Sequence, residues 1–238
     1  MRLPHKTFEK KLFANGYSLI CAVDEVGMGC LAGPVVVCAV GFKKKFFNRK
    51  HKEYNWLRDS KLLLAKQREE YANKLMADKD IQFKLAYVYP KTVDKLNVYN
   101  AARLAMRRAI KKLTIDHRRS TIDAQSFRMI VLVDGKTRIK DLDIEQMPIV
   151  KGDRKIFAIA CASIIAKVRR DKMMARYSKK YPGYGFEKHK GYGTRLHREK
   201  LVAIGASDLH RRSFAPVKIL IQNAKIKNQN DNVKLKNF

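Results

Sequence analysis

Leu19-Ile-Cys-Ala-Val-Asp-Glu-Val-Gly-Met-Gly29 is the stretch that decides the fold. Five apolar residues run without a break and stop abruptly at Asp24-Glu25 and a Gly27-x-Gly29 turn, the pattern of a buried strand that ends in acids. After Ala32-Gly-Pro34 comes Val35-Val-Val-Cys-Ala-Val40, rich in β-branched residues and close enough to pair with the first run as a hairpin. Further on, Met129-Ile-Val-Leu-Val133 repeats the first pattern and stops at Asp134-Gly135. Gln82 to Tyr89 alternates through Phe83, Leu85, Tyr87 and Tyr89, a strand with one dry face that Pro90 closes.

Helices stand between and after these strands. Residues 61–77 read as one. From Lys91 to Thr114, apolar Val98, Ala102, Ala105, Ala109, Ile110 and Leu113 recur at helical spacing beside Arg103, Arg107, Arg108, Lys111 and Lys112, so this helix has a basic outer face. A polar loop then leads to Met129. Ile156 to Lys179 is rich in small residues that allow close helix packing, and Tyr181-Pro182 ends it. A Gly- and Tyr-rich loop, Gly183 to Gly193, precedes a short helix capped by Thr194 and stopped near Gly205. The expected class is α/β with a mixed sheet flanked by helices and a helical C-terminal extension. Residues 1–18 are an N-terminal segment, 19–217 the main domain with its helical part from about 183, and 218–238 a basic, flexible tail without clear periodicity.

The 238 residues carry 52 Lys and Arg against 22 Asp and Glu, a net charge of +30. So large an excess calls for a polyanionic partner, which admits nucleases and ribosomal proteins alike. Between Lys43 and Lys52, six of ten residues are basic, an exposed loop suited to phosphate. Cys21, Cys30, Cys38 and Cys161 form no C-x-x-C pair and lie among apolar residues, which favours buried thiols in a reducing, cytoplasmic setting. No run of about 18 apolar residues offers a membrane span. The chain is long enough to bury a core as a monomer.

Phosphodiester hydrolysis benefits from two divalent cations, and such hard ions take carboxylate oxygens. Asp24, Glu25 and Asp134 sit where buried strands end, and Asp153 stands just before a helix. Any one of these acids alone reads better as an ordinary turn or capping residue; four in similar contexts weaken that reading and point to a metal cluster holding Mg²⁺ or Mn²⁺. Consecutive strand residues face opposite ways, so Asp24 and Glu25 share a site only where the strand ends or bulges, and Glu25 could act through its backbone carbonyl instead.

The segments Asp24-Glu-Val-Gly-Met-Gly29 with Ala32-Gly-Pro34, Asp59-Ser-Lys61, Val133-Asp-Gly135, Lys151-Gly-Asp153, Ala162-Ser-Ile-Ile-Ala-Lys167, Arg170-Asp171, His189-Lys-Gly-Tyr-Gly-Thr194 and His210-Arg-Arg-Ser-Phe214 together closely resemble ribonuclease HII, over roughly residues 19–217. The resemblance implies a ribonuclease H-like fold and an endoribonuclease that cuts the RNA strand of RNA–DNA hybrids and incises DNA duplexes at embedded ribonucleotides. It further implies that Asp24, Glu25, Asp134 and Asp153 are the metal-binding catalytic residues. By the same resemblance, backbone groups of Gly27-Met28-Gly29 sense a ribose 2′-hydroxyl, Tyr192 packs against the sugar on the DNA side of a junction, and Lys61, Ser163, Lys167 and Arg170 are phosphate contacts. Met28 departs from the family pattern, where Arg is usual; backbone sensing survives that change and a side-chain charge contact does not.

Two other readings stand beside this one. A basic RNA-binding structural protein would explain the charge but not acids that terminate buried strands. A junction resolvase or exonuclease would keep the fold and the metal chemistry. His189, His197 and His210 are close in sequence and could run acid–base cleavage through the substrate's own 2′-hydroxyl, but their spacing fits no standard zinc pattern. Structural or phosphate-contact roles suit them better.

Overall fold

A computed structural model describes residues 3–120 and 127–235. In chain order the elements are α1 (Thr7–Ala14), β1 (Leu19–Val26), β2 (Val35–Lys43), α2 (Lys44–Asn48), α3 (Ala65–Ala77), β3 (Ile81–Val88), α4 (Pro90–Leu96), α5 (Val98–Ser120), β4 (Met129–Asp134), β5 (Glu145–Ile149), α6 (Gly152–Lys155), α7 (Phe157–Lys180), α8 (Phe186–His189), α9 (Arg195–Ile204) and α10 (Ala215–Leu235). Among the described residues one sheet has the order β3-β2-β1-β4-β5. β1 runs antiparallel to β2 and parallel to β4, which in turn runs parallel to β5, so the sheet is mixed as expected.

The three central strands are continuous apolar runs because both of their faces are covered. Ile20, Ala22, Cys38, Val40 and Phe42 join Ala158, Ile159, Ala162 and Ile165 of α7 in one core cluster. On the opposite face, Leu113 of α5 lies so close to Gly41 that a β-carbon there would meet it at 3.0 Å. The small residues of α7 let it settle onto the sheet.

The chain divides into two compact units. One gathers the residues up to Val26, Val35–Tyr87 and Ala102–Arg170; the other gathers Gly27–Pro34, Val88–Ala101 and the residues from Asp171 onward. The first holds the sheet. The second has apolar clusters of its own, Ala32 with Met174, Tyr184, Phe186 and Leu209, and Leu31 with Leu201 and Val217. The span 19–217 is thus shared between the two.

Several local expectations need correction. Lys43 to Lys52 exposes Lys44, Lys45, Arg49, Lys50 and Lys52 as expected but is not a loop throughout: α2 buries Phe46 and Phe47, and His51 stacks on Phe46 with ring centroids 4.0 Å apart. The basic side chains obscured an apolar pair. The helix expected from Lys91 is broken at Asn97, a non-glycine residue at φ 62°, which separates α4 from α5; α5 then runs beyond Thr114 to Ser120. In β3 the expected alternation holds for Phe83 and Leu85, which pack partly buried against the core cluster, but not to the end of the run: Ala86 and Val88 are buried and Tyr89 is exposed. The segment after Val217, expected to lack regular structure, is helical to Leu235. Leu220 and Ile221 pack with Val217, Leu31 and Leu201, a short stripe hidden in polar composition. Residues 236–238 of that tail, and 121–126 of the expected polar loop, lie outside the described residues. The four cysteines are free and buried, as expected. Among the described residues no helix is long and apolar enough to cross a membrane.

Candidate active site

Asp24 and Glu25 lie inside β1, not beyond its end. Asp24 is in register with Cys38 and Glu25 with Val37, and directly paired residues share a face, so the two acids face opposite sides of the sheet. Cys38 belongs to the α7 side, and there the Asp24 carboxylate accepts a hydrogen bond from Ser163 of α7. Glu25 faces the α5 side, within electrostatic reach of Arg103. Asp134 ends the neighbouring parallel strand β4, one position past the Val23–Val133 pair. It is drawn on from both sides.

Asp134 is fixed by the turn that carries the fourth acid. The backbone N–H of Gly152 donates to Asp134 Oδ1 at 2.7 Å, and Asp153 follows in the first turn of α6. Lys151 enters that turn left-handed at φ 56°. Buried Asp59 supports the other side of it: Oδ1 accepts from the Lys61 backbone at 2.9 Å, and Oδ2 accepts from Arg154 Nε at 3.0 Å. Nothing in the sequence pattern marked Asp59 as a partner of the residue after Asp153. Its signal was only the Asp59-Ser-Lys61 block.

Burial and mutual repulsion act together on these carboxyls. Burial, then the charges of Glu25 and Asp134, push Asp24 well above the usual carboxylate range, against the Ser163 hydrogen bond. Burial, then Asp134, lifts Glu25 to about 7 although Arg103 and Lys61 pull the other way. Asp153 is raised by burial, Asp134 and Asp59. Glu25 Oε2 is buried without a hydrogen-bond partner, so the side chain and not only the backbone is available to a ligand. An orphaned carboxylate oxygen among like charges, in an all-oxygen donor set, fits Mg²⁺ or Mn²⁺. Among the described residues no three His, Cys, Asp or Glu groups already converge on one metal-sized point. The four acids are joined by charge, not yet by a closed shell.

The expected phosphate contacts divide. Lys61 is exposed and Lys167 half-buried. Ser163 is buried, and its hydroxyl is taken up by Asp24 and by Ser60 Oγ at 3.1 Å. Arg170 is fully buried, so it does not present its guanidinium on the surface as a phosphate contact would.

Gly27, Met28, Gly29 and Tyr192 belong to the second unit. Gly27 has φ +94°, a conformation glycine adopts at little cost. The turn is held by a residue that sequence reasoning missed. Fully buried Arg211 donates to the carbonyls of Gly27 and Met28, each at 2.7 Å, and to that of Gly33 at 2.9 Å. Its carbonyl targets leave the turn's N–H groups free of that grip. Periodicity cannot reveal such an arginine, because its partners are backbone atoms nearly two hundred residues away. Tyr192 bridges Cys30 across an isolated antiparallel pair and remains 38% exposed.

Comparison with known proteins gives these observations a lineage. The model of the family described as Ribonuclease HII matches residues 21–217. The chain is similar to the ribonuclease HII of Caldicellulosiruptor bescii, 44% identical over 206 residues that cover 87% of this chain and 91% of that one. It is 42% identical to the ribonuclease HII of Acholeplasma laidlawii over 225 residues, 93% of this chain and 100% of the relative. Its fold is similar to the crystal structure of Bst-RNase HIII in complex with Mn²⁺, at TM-score 0.66 and 18% identity, covering 89% of this chain and 72% of that one.

Proposed function

The chain belongs to the ribonuclease HII family and is an endoribonuclease of RNA–DNA hybrids; from that premise we propose that it also incises DNA duplexes at embedded ribonucleotides, by two-metal-ion hydrolysis that leaves 5′-phosphate and 3′-hydroxyl ends. The observation that carries the reading is the electrostatic coupling of Asp24, Glu25 and Asp153, each raised in part by the charge of Asp134. Such a cluster is stable when ionised only beside cations.

Asp24, Glu25, Asp134 and Asp153 would hold Mg²⁺ or Mn²⁺. Bound there, the cations supply an activated water and charge stabilisation at the leaving oxygen. The protein's own part is positional. Ser163 orients Asp24, the Gly152 N–H orients Asp134, and Asp59 with Arg154 steadies the turn that carries Asp153. Lys61 and Lys167 contact phosphate. The Gly27-Met28-Gly29 turn, its carbonyls occupied by Arg211, offers N–H groups to a ribose 2′-hydroxyl, the group that separates RNA from DNA. Met28 contributes no charge, so this chain senses the ribose through backbone alone. Tyr192 packs against the deoxyribose on the DNA side of a junction.

Cleavage by paired histidines is disfavoured on structural grounds, since His189, His197 and His210 are all buried. The deciding experiment uses a DNA duplex with one ribonucleotide, incubated with Mg²⁺, with Mn²⁺ or with EDTA. Metal-dependent incision beside the ribonucleotide, with an upstream fragment that a DNA polymerase extends, is expected. An intact strand under both metals overturns the assignment, and a cyclic-phosphate terminus overturns water as nucleophile.

A further inference from the structure

The three histidines set aside by the mechanism make a connected structure of their own. His189, His197 and His210 are buried, and the rings of His189 and His197 stack at 4.2 Å with an interplanar angle of 13°. Every ring nitrogen has a partner whose chemistry fixes its role. His210 Nδ1 faces the Ser207 backbone N–H at 3.0 Å, which can only donate, so Nδ1 accepts. A neutral His210 therefore carries its proton on Nε2. That nitrogen lies 3.1 Å from His197 Nε2. His197 Nδ1 faces the Tyr192 carbonyl at 2.9 Å, which can only accept, so Nδ1 donates and Nε2 is left to receive the His210 proton. The same logic makes His189 donate from Nε2 to the Tyr184 carbonyl at 2.8 Å and accept at Nδ1 from the Gly191 N–H at 3.2 Å.

We propose that these residues form a neutral histidine relay of fixed tautomers, running from the Ser207 N–H through His210 and His197 to the Tyr192 carbonyl, and that it is the positioning device for the Tyr192 ring. This rests on the reading of Tyr192 as the residue that packs on the deoxyribose. The relay is unidirectional: each imidazole has one donor and one acceptor position, and both are used. A proton added at His197 Nε2 would set two N–H groups against each other between the rings, and one added at His210 Nδ1 would face the Ser207 backbone N–H. Consistent with this, burial pushes both of those histidines down to about 4, so they are neutral at physiological pH.

What the relay holds is a loop with little tolerance. Gly191, at φ +84°, lies where a β-carbon would come within 2.3 Å of the Ala32 carbonyl oxygen. Its own carbonyl accepts from the Leu31 N–H at 2.8 Å, and the Tyr192 carbonyl also accepts from Thr194, the cap of α9. His189 and His197 thus grip the two residues whose backbone aims the tyrosine. His189 and His210 are each joined to a further buried aromatic, Phe186, which keeps the rings from turning.

Two measurements test the proposal. Long-range ¹H–¹⁵N spectra of the histidine-labelled full-length protein at pH 7 should show His189 and His210 protonated at Nε2 and His197 at Nδ1. Any other tautomer, or a charged ring, overturns the relay. For function, the readout is incision at a single ribonucleotide divided by cleavage of a continuous hybrid, with thermal melts alongside. His210→Met, which keeps bulk but donates nothing, should lower that ratio about as far as Tyr192→Ala, up to about tenfold for the loss of a stacked contact. His210→Gln, whose amide can donate in place of Nε2–H, should restore it. A merely structural role would lower both activities together and leave their ratio fixed, which overturns the positioning role. Should Tyr192→Ala itself leave the ratio unchanged while the tautomers are as described, the reading of Tyr192 fails and takes the proposed purpose of the relay with it.

Discussion

Gly152→Ala probes the join between the sheet and the acid-bearing turn. A β-carbon at this position would lie 2.5 Å from Ile159 Cδ1 and 3.2 Å from Asp134 Oδ1. Comfortable carbon contacts begin near 3.5 Å, so one partner must yield by about 1 Å. Ile159 is fully buried in the core cluster, and overpacking of this kind costs about 1–3 kcal/mol. The gain from replacing glycine in a helix returns at most about 1 kcal/mol, which leaves a net loss of up to about 2 kcal/mol when that gain is realised in full. Activity should suffer more, because the new methyl group presses on an acid that is itself bonded to the Gly152 N–H. A displacement of about 1 Å in a catalytic group can cost on the order of 100-fold. Ile159→Val removes the offending Cδ1 at a cost of about 0.5–1.5 kcal/mol on its own. In the double variant the clash disappears, so the two changes should couple favourably by about 1–2 kcal/mol, whereas turnover should recover only in part because the contact with Asp134 persists. Urea unfolding and metal-dependent cleavage of a hybrid supply the two readings. Wild-type stability and turnover in Gly152→Ala would refute the packing argument, and strict additivity would exonerate Ile159.

Asp24→Asn and Asp134→Asn should each abolish cleavage and leave duplex binding, measured by fluorescence anisotropy in EDTA, near the wild-type level; normal turnover in both would remove the metal cluster. The same substitutions relieve repulsion among buried acids, so the melting temperature in EDTA should not fall. With +30 formal charges, affinity for a hybrid should drop log-linearly with salt, by about a thousandfold between 50 and 200 mM if six or more phosphates are contacted; a flat response would show that the basic surface is not used. Glu9, buried and hydrogen-bonded through Oε1 to the Ala158 N–H, is raised to about 7 chiefly by burial. Its neutral form is favoured by folding, so this contribution is complete below pH 4.5 and lost as the pH rises through 7, about 1.4 kcal/mol per pH unit. Glu9→Gln should therefore gain stability relative to wild type across that window, and a pH-independent difference between the two would contradict it.

The elements legible in the sequence are those whose environment is uniform along their length. β1, β2 and β4 are covered on both faces and read as unbroken apolar runs, and α7 reads through its small residues. β5 could not be read, since Glu145-Gln-Met-Pro-Ile149 is polar and carries Pro148, which an edge strand tolerates because it pairs on one side. α1 was likewise hidden: Glu9 occupies an interior position that looks solvent-facing in sequence, and only its bond to the start of α7 explains it. The acids themselves were found, but the picture of carboxylates at strand ends was too simple. β1 continues through both, which is why Asp24 and Glu25 answer to different helices.

That division bears on what the acids require. The chain holds 52 basic residues, an excess that in number alone suffices for four carboxyls. Exposed charges are screened beyond about 8–10 Å at ordinary salt, so only near neighbours count. For Glu25 these are Arg103 and Lys61, and for Asp153 they are Lys61 and Arg154; in both cases burial and the neighbouring acids prevail and the net direction is upward. For Asp24 the opposing influence is a serine hydroxyl, not a cation. The basic surface therefore recruits the polyanion without neutralising the cluster, and Glu25, lifted to about 7, keeps part of its proton at neutral pH until a stronger local charge arrives. Divalent cations held by Glu25 must displace that proton. Their affinity should consequently rise as pH rises through about 7, which ties metal loading to pH even though no histidine belongs to the cluster.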